Sequence, residues 1–141
     1  MASSAARNSV GLGQAMIVAG IGCRKGASAA NISAAIDDAL TRAGLAAQAL
    51  DLIAAPEFKA GEHGLAAAAV VRGVPLVLIA KAKLEEAGAR TKIRSERVRS
   101  LAGVPSVAEA AALAAGGPAA RLLVPRITLG SATCALAVSE A

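Results

Sequence analysis

The chain has almost no aromatic side chains. Among 141 residues there is one Phe, Phe58, and no Trp or Tyr. Proteins that grip single-stranded nucleic acid stack bases on aromatic faces, and this sequence cannot do that beyond one ring. Zinc-finger spacing and the aromatic RNA-binding motif are also missing. Cysteine is equally scarce. Cys23 and Cys134 stand far apart, with no CxxC, so neither a disulfide framework nor a thiol redox motif is expected. One histidine, His63, leaves too few ligands for a Cys/His metal site. No apolar run approaches the ~20 residues that cross a bilayer. Arg7 and the stretch after it mimic a signal peptide loosely, but Gly11, Gly13 and Gln14 interrupt it. A reducing, cytoplasmic setting is expected, with no membrane, no nucleic acid and no cofactor.

What is present is small and aliphatic. The composition is 55% hydrophobic, much of it alanine. The core must therefore be Ala, Val, Leu and Ile, with close backbone contacts at Ala and Gly. The formal charge is +5. Between Lys81 and Arg99 seven basic residues face three acidic ones, an excess of four. Such a segment is either a solvated loop or a patch for an acidic partner.

Residues 1–13 read as a loose tail and 14–141 as one domain. Ala15–Gly22 is a continuous apolar run, the mark of a buried strand. Ser28 to Arg42 has helical spacing, with Ile32, Ala35, Ile36, Ala39 and Leu40 on one face, Ser28 as cap and Gly44 as stop. Leu50–Ala54 is a second strand ending at Pro56, and Glu62–Arg72 a second helix closed by Gly73. Pro75–Ala80 reads as a third buried strand and Lys81–Ala87 as a short helix. Residues 88–104 read as a long basic loop with a helical turn near Ser95. Ser106 and Glu109 form a capping box before an alanine-rich helix that Gly116, Gly117 and Pro118 stop. Arg121–Leu129 and Ala132–Val138, joined by Gly130 and Ser131, make a hairpin. Alternating strands and helices give a three-layer α/β/α domain with a mixed, mostly parallel sheet and a C-terminal antiparallel hairpin. Ligands of such sheets sit at the carboxyl ends of the strands. The loops at 22–28, at 55–61 and after Ala80 meet there.

The first of these loops is Gly22-Cys23-Arg24-Lys25-Gly26-Ala27-Ser28. It is not a Walker loop, because Gly22 and Gly26 stand too close and Lys-Ser/Thr is absent. Gly20, Gly22 and Gly26 miss the dinucleotide fingerprint by one residue, and no acid stands at the end of the second strand. A Rossmann-like nucleotide enzyme is a weak alternative. As a thiol site, Cys23 would have Arg24, Lys25 and a helix start to lower its pKa, with His63 as the only base on offer; the plainer reading is a small residue packing at the strand end. As an anion cradle, the turn offers backbone N–H groups, the Arg24 fork and the Lys25 charge. Glu62 and Cys23 are the weak catalytic candidates. Glu62 is also a partner for Lys59 or a helix-start acid. Glu109 is read as a capping acid and His63 as a solvated surface residue. Thr133 and Cys134 point to opposite layers.

The Gly20–Gly26 turn, the segment Glu57-Phe58-Lys59-Ala60-Gly61-Glu62-His63-Gly64-Leu65, the helix start Gly103–Leu113 and the closing Ala132-Thr133-Cys134-Ala135-Leu136-Ala137 follow one another in register. In this order, from about Ala15 to Val138, they closely resemble the CobE family and the C-terminal domain of CbiG, of cobalamin (vitamin B12) biosynthesis. The resemblance implies a protein of the aerobic route that binds a polycarboxylate corrin or precorrin, such as hydrogenobyrinic acid, as carrier, sequestering protein or ring-modifying enzyme. CbiG is associated with opening a lactone on a cobalt-precorrin. This chain lacks the additional N-terminal domain of CbiG, so a lactone-opening hydrolase is the alternative and not the main expectation. Other enzymes of the pathway are candidate partners. The ligand-binding candidates are Gly22, Cys23, Arg24, Lys25, Gly26, Ser28, Lys59, Glu62 and Ser95. Arg126 matches a basic position of the family before the hairpin and would pair with a ligand carboxylate or with Glu140. The residues show no Ser-His-Asp set and no paired carboxylates, so binding is expected over catalysis. A basic nucleic-acid-binding module is the rival from a third class.

Overall fold

In a computed structural model describing residues 15–94 and 106–139, the first apolar run becomes β1, Ile17–Cys23. It lies in the middle of a five-stranded sheet, ordered β3-β2-β1-β5-β4. β2 is Leu52–Pro56, β3 Leu76–Ile79, β4 Arg121–Leu129 and β5 Ala132–Val138. β1 runs parallel to β2, with Val18 opposite Leu52, and β2 runs parallel to β3, with Ile53 opposite Leu76. β5 is antiparallel to β1, with Cys23 opposite Ala132, and β4 is antiparallel to β5. Four strands thus point one way and β5 alone opposes them, as the mixed, mostly parallel reading requires. Gly130, with φ of 62°, opens the two-residue turn between β4 and β5.

Helices cover both faces. α1 (Ala29–Arg42) and α2 (His63–Arg72) pack on one, α3 (Lys81–Arg94) and α4 (Val107–Gly116) on the other. Successive β1 side chains divide between them: Ala19 and Ile21 join the α1/α2 core, and Val18 joins the α3/α4 core. α1 buries the five residues that its spacing predicts, and Ser28 Oγ accepts from the Asn31 N–H. Ser106 caps α4 in the same way, accepting from the Glu109 N–H at 3.0 Å. α2 ends at Gly73 in the left-handed conformation.

Several boundaries differ from the sequence reading. β2 begins at Leu52, not Leu50, which closes a short 3-10 turn, and it ends at Pro56 as read, paired with Ile79. β3 is not buried: it is an edge strand, and Leu78 is 40% exposed. A continuous apolar run carries no record of how many neighbours its strand will have. The short helix at Lys81 continues to Arg94, through residues read as loop. Alanine, lysine and arginine favour helix even where the apolar stripe is thin, and here Ala87 is the buried contact. Lys81–Glu85 and Lys83–Glu86 pairs at 4.0 and 3.9 Å lie along this helix. The rest of that expected loop, Ser95 included, lies outside the described residues, as does the expected N-terminal tail. Glu109 does not close the capping box with its carboxylate. Its Oε2 instead accepts from the Arg126 N–H at 3.1 Å, tying the first turn of α4 to β4.

Candidate functional site

The carboxyl ends of β1, β2, β3 and β4 lie on one edge of the sheet, and helix starts gather there. α1 and α3 come next after such strand ends, and α2 follows β2 after the short 3-10 turn Glu57–Lys59. α4 begins beside Gly22, where an added Cβ would lie 3.9 Å from the Ala108 nitrogen. The positive ends of the helix dipoles therefore face the same edge.

Gly26, with φ of 79°, makes the turn between β1 and α1. The Ala27 N–H donates to the Arg24 carbonyl at 3.0 Å, and the Arg24 N–H to the Ser131 carbonyl at 2.9 Å. Asn31 Nδ2 donates to Ser131 Oγ at 3.0 Å. The first loop is thus clamped to the β4–β5 hairpin from both its ends. Its other wall is α2. The Gly26 N–H donates to Glu62 Oε1 at 2.8 Å, and a Cβ on Gly64 would run into the Ala27 carbonyl. Only a glycine lets the start of α2 come this close.

These bonds alter the cradle that the sequence suggests. The N–H groups of Arg24, Gly26 and Ala27 are used inside the fold, and the Glu62 carboxylate sits on Gly26. The groups turned to solvent are the side chains of Arg24, Lys25 and Ser28, all exposed. Lys59 is half-buried in the short 3-10 turn Glu57–Lys59, which follows β2. The structure brings Gly22, Cys23, Arg24, Lys25, Gly26, Ser28, Lys59 and Glu62 to one edge; Ser95 is outside the described residues.

Cys23 lies at the rim of the α1/α2 core, half-buried. Its thiol is pushed above its ordinary value of 9.0, first by burial, then by the Glu62 carboxylate, against a pull from Lys59. The thiol-site alternative, in which Arg24, Lys25 and the helix start would lower it, is corrected here: burial dominates, the cation that acts on the thiol is Lys59, and Cys23 packs at the strand end as the plainer reading has it. His63 is the exposed first residue of α2. Cys134 is fully buried, and burial pushes its thiol up to about 12. Thr133 is half-buried, and its hydroxyl shares a 3.1 Å hydrogen bond with Thr128. The Arg126 side chain is exposed on β4; its suggested partner Glu140 lies outside the described residues. Sequence reasoning assigned no role to Asn31 or Gly64, and placed Ser131 only in the hairpin turn. Only Gly64 left a signal there, as a helix breaker in the first turn of a helix.

Comparison with known proteins places this geometry in a family. The family model for the cobalamin synthesis G C-terminus matches residues 17–137. The match begins on the first residue of β1 and ends one residue before the end of β5. The chain is 37% identical over 121 residues to Protein CobE of Sinorhizobium sp, covering 86% of this chain and 79% of that protein. Among solved structures it is similar to cobalamin biosynthesis protein chiG from Agrobacterium tumefaciens str. C58. The TM-score is 0.75 and the identity 42%, over 89% of this chain and 100% of that one. A CobE structure matches with a TM-score of 0.73 at 33% identity, over 88% and 90% of the two chains. A cobalamin biosynthesis protein G homologue from Sulfolobus solfataricus, 21% identical with a TM-score of 0.62, shares the fold; this chain covers 37% of it.

Proposed function

This chain belongs to the cobalamin synthesis G C-terminal family, with CobE among its relatives, and we propose that it serves cobalamin biosynthesis by binding a polycarboxylate corrin intermediate such as hydrogenobyrinic acid. Its role is that of a carrier or sequestering protein of the aerobic route. Corrin intermediates carry acetate and propionate groups around a broad ring, so their receptor needs cations spread over an open edge. The observation that carries the reading is the gathering of Arg24, Lys25 and Lys59 with four helix starts on one edge of the sheet. Fixed positive dipole ends and side-chain cations attract carboxylates together. Binding is favoured over thiol catalysis because burial pushes the more accessible thiol, Cys23, above its ordinary value, which disfavours the nucleophilic thiolate.

Titration with hydrogenobyrinic acid, followed by its visible absorption, tests this. A spectral shift at micromolar protein is expected. Arg24→Glu places a carboxylate where a cation stood and weakens binding about tenfold or more. No shift with the wild-type protein overturns the proposal; a shift that Arg24→Glu leaves untouched moves the site away from the first loop.

A further inference from the structure

The fold withholds its only aromatic residue from its core. Phe58 is 70% exposed, while the largest fully buried side chains among the described residues are aliphatic apart from Pro56 and Cys134. Burying a phenylalanine would contribute about 1.5–3 kcal/mol, and this chain forgoes that. The position is held, not loose. Pro56 is buried at the end of β2, the Ala60 N–H closes the turn on the Glu57 carbonyl at 3.0 Å, and the Glu62 N–H closes on the Lys59 carbonyl at 3.0 Å. Phe58 therefore stands on a braced turn at the strand-end edge, one residue from Lys59, whose charge is felt at Cys23. Two strongly exposed aliphatic residues, Val70 and Val71, lie at the far end of α2 from this edge.

We infer that Phe58 is the apolar platform of the site, its ring stacking on the conjugated face of a flat macrocycle whose rim carboxylates meet Arg24, Lys25 and Lys59. The inference rests on the corrin-binding reading and adds what cations cannot supply. Charges select a carboxylate-rich molecule but do not separate a planar ring from any other polyanion. An aromatic face does, because stacking requires a flat partner.

Phe58→Ala, Phe58→Trp and Arg24→Glu are titrated in parallel with hydrogenobyrinic acid and with tricarballylate, a non-planar tricarboxylate. Phe58→Ala is expected to weaken hydrogenobyrinic acid about tenfold, Phe58→Trp to retain it, and neither to change tricarballylate binding. Arg24→Glu weakens both. Far-ultraviolet circular dichroism of Phe58→Ala stays at the wild-type spectrum, since the ring buries little. If the wild-type protein binds no hydrogenobyrinic acid, the functional reading falls and this inference with it. If the wild type binds and Phe58→Ala binds within about twofold of it, this inference alone falls. It also falls if Phe58→Ala weakens both ligands equally, which would mark general damage to the edge.

Discussion

On the sheet face that carries α1 and α2, branched side chains make the contact. Ile21, Ile53 and Leu136 from the sheet meet Ile32, Ile36, Leu40 and Leu65 from the helices. On the opposite face α4 presents Ala110, Ala111, Ala112 and Leu113, and its backbone descends on Gly20, where a Cβ would strike the Ala108 carbonyl and crowd Ala112. The first face is spaced by side chains, which can shift rotamers when a neighbour changes. The second brings main chain against main chain, which cannot. The start of α4 beside Gly22 is therefore set by rigid backbone contact, whereas the loop between β1 and α1 is set by hydrogen bonds to its neighbours together with one close backbone approach, Ala27 on Gly64.

The sharpest way to break this contrast is one substitution on each face. Gly20→Val drives a branched side chain into backbone atoms and is expected to cost more than about 3 kcal/mol, enough to leave much of the chain unfolded. Ile36→Ala, fully buried on the other face, opens a cavity and costs about 2–5 kcal/mol, depending on how far α1 settles into it. Urea unfolding measures both. A Gly20→Val protein as stable as the wild type would mean that α4 is held no closer than α1.

The same contrast explains what could be read in the sequence. The side-chain face writes its contacts as periodicity: Ile32, Ala35, Ile36, Ala39 and Leu40 announce the buried stripe of α1 by their spacing alone. The backbone face writes nothing periodic. Gly20 looks like a strand glycine, and its meaning depends on a helix that begins far later in the chain, at Val107. β3 read as buried because an apolar run is the same at a sheet's edge as at its centre. The placement of Arg24, Lys25 and Lys59 after strand ends, and so on one edge, was legible. The internal bonds of the site were not, because the Glu62–Gly26 and Asn31–Ser131 contacts join residues 36 and 100 apart along the chain.

A smaller comparison lies in the two serine caps, one per face. Ser28 and Ser106 each accept an N–H at 3.0 Å. Replacing either by alanine is expected to lower stability by about 1 kcal/mol. The first turn of each helix has a second tether, Asn31 to Ser131 for α1 and Glu109 to Arg126 for α4. Losses equal to within roughly 0.5 kcal/mol are therefore expected from urea titrations of the two variants. A Ser106→Ala loss near zero would show that backbone packing alone holds the start of α4.

The finest effect concerns the two cysteines, which sample the first face at its rim and its centre. The thiolate is the form that alkylates. Cys23 sits above 9.0 and Cys134 at about 12, so at about pH 8 iodoacetamide should modify native protein at Cys23 only, and slowly. Glu62→Gln removes a charge that raises the Cys23 pKa and keeps an oxygen for the Gly26 N–H; alkylation should speed up a few-fold. Lys59→Gln removes the charge that lowers it, and alkylation should slow. For both cysteines the folded state holds its proton longer than the unfolded chain. Their ionisation therefore favours unfolding as pH rises past 9.0, most strongly for Cys134, whose penalty grows until about 12. Thermal melts at about pH 8 and about pH 10.5 should show a smaller alkaline loss in Cys134→Ala than in the wild type. If Glu62→Gln and Lys59→Gln shift the alkylation rate in the same direction, the charges do not act on Cys23 as this geometry requires, and access to the loop sets its reactivity instead.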